Sequence, residues 1–362
     1  MTGLPNSAIV TLQAAEAGAQ TASQSTLLLL LFAGVLVVGV LLSGLAHRTV
    51  LSTAVIFLGA GFLLGDGGLA VVSLSTDNSV IYNLSELALF AVLFTDGMRV
   101  SWDKINTAWK LPGRALLSGM PLTMVVTAVL AYGLVPQFGI WEALLVGAIL
   151  APTDPVFAAA LVGNTKVPYR LRHMLNVESG LNDGLALPFV LVFLAIAIGS
   201  DDLHLGILAT ELILGVVIGL LVPAVVITLE RSKVFEAHTS HTALNAVAIG
   251  LLVFALGKFT HANLFLAAFA AGIVVASVGE KEAHAFEEMG ELFAELLKLA
   301  ALLVFGMLIT PTFLFGEIPW QGWVFAVLAI VVARPLALAV SFVGSQLPRG
   351  EQIAAMWFGP KG

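Results

Sequence analysis

Residues 27–45 read LLLLLFAGVLVVGVLLSGL, nineteen positions without a charge. Because a helix rises about 1.5 Å per residue, some twenty apolar residues cross a hydrocarbon core of about 30 Å. The stretch therefore predicts a membrane-spanning helix. The same pattern of long apolar runs between short polar breaks recurs near 50–65, 80–97, 115–134, 141–163, 174–199, 205–229, 241–257, 261–278, 292–314 and 321–345. That makes eleven spans, with a twelfth segment expected to begin at Trp357. Residues 1–26 contain no Lys or Arg, so they lack the basic start of a signal peptide and are expected to form a short extracytoplasmic tail. The remainder, 27–362, is expected to form one membrane domain.

Composition agrees with the pattern. Hydrophobic residues make up 59% of the 362 positions and charged residues 11%, against about 25% charge in a soluble domain. A net charge of −7 excludes a protein that tracks a phosphate backbone, so the expected surroundings are a lipid bilayer and no nucleic acid. The absence of cysteine excludes disulfides, thiolate metal sites and a Cys nucleophile.

The cations add a topology. Cytoplasmic loops collect Lys and Arg. The loops after odd-numbered spans hold twelve of the sixteen, among them Arg99, Lys104, Lys110 and Arg114 after the third, whereas the loops after even-numbered spans hold only Lys258. This places the N-terminus outside. Trp141, Trp320, Trp323 and Trp357 fall at span ends, where amphipathic rings prefer to sit.

A charge at the bilayer centre costs at least about 2.5–3.5 kcal/mol, so the few intramembrane charges mark function by default. The fifth span contains Pro152, Thr153, Asp154 and Pro155. The sixth contains Glu178, Ser179, Asn182 and Asp183. Two prolines three residues apart remove backbone donors and should break the fifth span around Thr153 and Asp154. Such breaks at membrane depth are tolerated where they line a cavity, and in secondary transporters they build the ion site. Ser179 and Asp183 are four residues apart and share a helix face, with Asn182 within the same turn. Hydroxyl, amide and carboxylate oxygens together suit a hard monovalent cation held at Asp183. The competing structural reading has Asp154 and Asp183 capping broken helices or pairing with a buried cation.

Arg334, near the centre of the eleventh span, requires a buried acidic partner, for which Glu178 is the candidate. Asp96 is expected to pair with Arg99. Glu86 is open between helix packing and a polar pathway. Residues 280–295 carry Glu280, Glu282, Glu287, Glu288, Glu291 and Glu295 around His284; they read as a solvated face leading into the tenth span, with a pH-sensing or cation-attracting surface as the alternative. Gly61 with Gly65, and Gly215 with Gly219, have the spacing of closely packed helices. The histidines form no convincing metal set.

On these motifs the sequence resembles the NhaP-type sodium/proton antiporters, the monovalent cation:proton antiporters that include the eukaryotic sodium/proton exchangers. The elements that carry the resemblance are TDP at 153–155, ESGLNDG at 178–184, the arginine of the eleventh span and the terminal FGPKG at 358–362, where Lys361 stands in place of a common arginine. The resemblance implies an all-α polytopic fold of thirteen spans in an inverted repeat with a discontinuous fifth helix. This chain would supply eleven to twelve of them, as expected for a protein lacking its C-terminal part. It also implies a transport core, here about 80–199 and 292–362, moving against a dimerisation scaffold, about 27–65 and 205–278, in a homodimer in the plasma membrane.

The implied activity is exchange of a monovalent cation (Na+, K+ or Li+) for H+ by alternating access, without a cofactor, in pH and cation homeostasis. Asp183 would alternately hold cation or proton, with Thr153, Glu178 and Ser179 around the ion, Asp154 in the crossover and Arg334 stabilising the core through Glu178. The Asn182–Asp183 pair resembles that of electroneutral members. One carboxylate neutralising either one cation or one proton gives equal charge in both loaded forms and therefore one-for-one exchange. Two readings from other classes stand beside this one. The first is an intramembrane aspartyl protease using Asp154 and Asp183 as a proton-sharing pair. The second is a sodium-coupled symporter of an organic solute, which also uses broken helices.

Overall fold

A computed structural model describes residues 26–42, 53–74, 78–100, 109–153, 167–199, 205–231, 242–345 and 347–357. Among these the chain is helical and contains no strand. The helices are α1 (Thr26–Leu42), α2 (Thr53–Leu64), α3 (Ser79–Met98), α4 (Lys110–Leu134), α5 (Ile140–Ile149), α6 (Tyr169–Ala197), α7 (Leu205–Glu230), α8 (Thr242–Thr260), α9 (Leu264–Val278), α10 (Glu280–Leu308), α11 (Trp320–Ser341) and α12 (Arg349–Trp357). Of these, α3, α4, α6, most of α7, and α11 are long and apolar enough to cross a membrane. Trp141, Trp320, Trp323 and Trp357 are all exposed, as rings at a membrane surface should be.

Four boundaries differ from the hydropathy reading. The fifth span does not run from 141 to 163 as one helix: α5 ends at Ile149, four residues before Thr153, because Pro152 cannot continue it. α6 begins at Tyr169, directly after Pro168, whose fixed φ suits a helix start. α10 begins at Glu280, so the acidic stretch and the tenth span form one helix; carboxylates in a first turn favour the positive helix end. The helix that contains Trp357, α12, already begins at Arg349, and its Arg349, Glu351 and Gln352 dilute its hydropathy; residues 358–362, where the twelfth segment is expected to continue, lie outside the described residues.

Within α4 and α11 the backbone widens into a π turn at Ala115–Gly119 and at Ala329–Ala333. Each precedes a proline, Pro121 and Pro335, whose missing N–H breaks the regular hydrogen-bond ladder.

The chain divides into two compact units, residues 1–88 with 295–317, and 89–294 with 318–362. In the first, Phe57 packs with Leu299, Leu303 and Met307. α2 lies so close to α10 that a Cβ at Gly61 would stand 2.1 Å from the Leu303 carbonyl oxygen. Glu86 is buried here. The second unit has a core of Phe90, Leu93, Phe94, Leu181, Phe269 and Phe286, among others. Its helices α7 and α9 meet at Gly215 and Gly219, where Cβ atoms would lie 2.5 and 2.4 Å from the carbonyl oxygens of Asn263 and Ala267. Both glycine pairs thus permit the close packing their spacing suggests. Every described residue of the candidate site lies in this second unit.

Candidate ion-binding site

The site starts from the interruption of α5. Beyond Ile149 the chain passes through Leu150, Ala151 and Pro152 without helical structure and buries Thr153 to 3% exposure. A buried carbonyl outside a helix needs a donor from elsewhere, and Asn182 of α6 supplies it. The Asn182 Nδ2 donates to the Thr153 carbonyl oxygen at 2.8 Å and to the Thr153 Oγ1 at 2.9 Å. With both contacts on the nitrogen, the Asn182 Oδ1 is buried and meets no donor among the described residues. An unsatisfied buried acceptor costs about 1–3 kcal/mol, so this oxygen is suited to a cation or a proton donor.

α6 arranges the remaining groups by its period. Glu178 and Asn182 share one face, and Ser179 and Asp183 share the next. Glu178, Ser179, Gly180, Leu181, Asn182 and Gly184 are buried, whereas Asp183 is partly exposed. Of the two carboxylates of this turn, Asp183 is thus the less deeply buried.

The Glu178 carboxylate is held by an arginine. Arg334 Nη1 donates to Glu178 Oε1 at 2.6 Å and Nη2 donates to Oε2 at 3.2 Å, both side chains being almost fully buried. Nη2 also reaches the Ala355 carbonyl oxygen of α12 at 3.4 Å. The pair anticipated from the sequence is present, and it engages both Glu178 oxygens. Asn182 meets Thr153 where α5 breaks, and Ser179 and Asp183 lie on the adjoining face of α6. Asp154 and Pro155 lie outside the described residues. Pro152 sits in the break as expected. Among the described residues no three His, Asp or Glu side chains come together as a metal cluster; the groups shown in contact are the Asn182 amide and the Thr153 carbonyl and hydroxyl.

Two connections had no sequence signal. Arg170, in the first turn of α6, forms a bidentate pair with Glu351 of α12 at 2.7 and 2.6 Å. Arg99 joins Asp96 at 3.0 Å, as expected, but also Glu291 of α10 at 3.1 Å. The latter ties the acidic stretch to the end of α3. The side chains of Glu280, Glu282, His284, Glu287 and Glu288 lie outside the described residues.

Known proteins resemble the chain in sequence and in fold. The family model for the transmembrane region of sodium/hydrogen exchangers matches residues 33–362. The chain is 25% identical over 339 residues to the K(+)/H(+) antiporter NhaP of Alkalimonas amylolytica, covering 91% of this chain and 58% of that protein. It is 29% identical over 314 residues to the K(+)/H(+) antiporter NhaP2 of Shewanella sp. (strain ANA-3), covering 84% and 53%. It thus spans little more than half the length of these relatives. The fold is similar to that of the sodium proton antiporter MjNhaP1 from Methanocaldococcus jannaschii at pH 8, with a TM-score of 0.73 at 18% identity over 94% of this chain and 84% of that one. These relatives are transporters, and the protease and symporter readings find no counterpart among them. With a family model matched from the first span to the last residue, this integral membrane chain belongs to the sodium/hydrogen exchanger family.

Proposed function

We propose that the chain carries the transport site of a secondary antiporter that exchanges a monovalent cation for H+ at Asp183. The observation that supports this most directly is the Asn182 clamp. By donating its amide hydrogens to Thr153, Asn182 keeps a buried amide oxygen without a donor among the described residues, one residue from a partly exposed carboxylate. Asp183 holds either the cation or the proton, and Asn182, Ser179 and Thr153 supply neutral oxygens. The names of the relatives favour potassium or sodium as the cation.

Glu178 is paired with Arg334, and Asp183 serves as the carboxylate that takes cation and proton in turn. Exchange is then one for one, electroneutral and achieved by alternating access, in a homodimer of the plasma membrane with its N-terminus outside. Asp154 contributes to the crossover.

The test uses the full-length protein in proteoliposomes. Adding potassium or sodium is expected to dissipate an imposed proton gradient, and Asp183→Asn to abolish the effect. Undiminished exchange in that variant would overturn the assignment. An imposed membrane potential should leave the rate unchanged, and a rate that follows the potential would exclude one-for-one stoichiometry.

A further inference from the structure

The motif Glu178–Gly184 ends in a glycine that the ion chemistry does not explain. Gly180 and Gly184 lie on one ridge of α6, next to the face of Ser179 and Asp183. At Gly180 the ridge meets Val100, just beyond the end of α3, and at Gly184 it meets Phe269 of α9. The latter contact is very close. A Cβ at Gly184 would stand 2.3 Å from both Cδ1 and Cε1 of the Phe269 ring and 2.5 Å from Cγ, so only glycine lets the ring lie flush against the backbone beside Asp183.

The ring is also fixed from behind. α9 presses on α3 so tightly that a Cβ at Gly97 would lie 2.4 Å from the Phe269 carbonyl oxygen, and one at Gly272 would lie 2.2 Å from that of Phe94. Phe269 is 6% exposed and belongs to an apolar cluster with Leu181 and Leu187. On the surface of α6, Asp183 therefore stands between the face of Asn182 and the ridge that meets Phe269, and it is partly exposed.

We infer that Phe269 is the stopper of the ion site. Its ring closes Asp183 toward α9 while another approach stays open, and Gly184 is the seat on which it rests. The inference rests on the exchange reading above and adds a gating residue to it. A carboxylate reachable from both membrane faces at once would let protons pass without cation, so coupling demands that one approach be closed. An aromatic ring does this well because it excludes water and offers no lone pair to a cation in its plane.

The experiment measures proton flux through the full-length protein in proteoliposomes under a pH gradient, with no alkali cation and a lipophilic ion to discharge the potential. Phe269→Ala is expected to raise this cation-independent flux roughly tenfold. Phe269→Leu, which keeps apolar bulk, should hold it near wild type, and Asp183→Asn combined with Phe269→Ala should return it to background. A tightly coupled Phe269→Ala overturns the proposal, as does a leak that persists without Asp183. Should Phe269→Ala not fold, Gly184→Ala displaces the same ring and must leak in the same way; coupled exchange in that variant overturns the proposal. Exchange retained by Asp183→Asn alone would instead sink the transport-site reading, so the two failures are distinct.

Discussion

Two buried helix ends in the second unit are held in different ways. Beyond the end of α5, Thr153 is held by the neutral amide of Asn182, which leaves one amide oxygen without a partner. Near the end of α12, the Ala355 carbonyl is held by the guanidinium of Arg334, whose charge is consumed by both oxygens of Glu178. A neutral clamp fixes a backbone while keeping an acceptor in reserve and adding no charge. A charged clamp requires a counter-charge, and the two neutralise each other. The first arrangement fits a site that binds and releases an ion, and the second fits a fixed joint. Position in the membrane alone would not separate them, since both pairs are buried and both join α6 to a neighbouring segment.

The contrast can be broken most forcefully at the charged end. Arg334→Ala strands the Glu178 carboxylate and is expected to lower stability by about 3–5 kcal/mol, read as a large fall in the thermal midpoint of the detergent-solubilised protein. The double replacement Arg334→Met with Glu178→Met should recover much of that loss, because no buried charge is then unpaired. Equal damage from single and double variants would show that Arg334 matters for more than its partner.

The neutral end should respond less in stability and more in binding. Asn182→Ala removes the Thr153 clamp, with an expected loss of about 1–3 kcal/mol. It should also raise the apparent cation KM roughly tenfold, the equivalent of one modest ligand. A stability loss with unchanged KM would reduce Asn182 to a clamp alone.

The smallest effect is expected at the Arg170–Glu351 pair, where Arg170 is half exposed. Glu351→Gln should change stability by about 0.2–1 kcal/mol and leave exchange intact. A marked transport defect would show that the link between α6 and α12 takes part in the motion.

Much of this was legible in the chain itself. Apolar runs located most of the helices, and the rule that a buried arginine needs an acid paired Arg334 with Glu178 across 156 positions. The spacing of Ser179, Asn182 and Asp183 brought these polar groups into one turn of α6 because helical geometry is local. Features made by packing between distant segments were not legible. The Ala355 carbonyl is anonymous in sequence, as is every backbone oxygen. The contact of Gly184 with Phe269 depends on how closely α6 and α9 approach. α12 escaped notice because hydropathy rewards apolar length, and nine residues with Arg349, Glu351 and Gln352 among them offer little.

The π turn at Ala329–Ala333 has a geometric consequence for how this protein should be aligned and altered. A π turn accommodates one residue more than an α turn, and each residue of an α-helix turns the chain by about 100°. Wound as a regular α turn with the same residues, the stretch would put Ala333 in the place that Arg334 takes opposite Glu178. The wider turn thus absorbs one residue of the chain, so a relative one residue shorter here can keep the ion pair with a regular α turn, and an alignment of this helix should allow a gap of one residue just before the arginine.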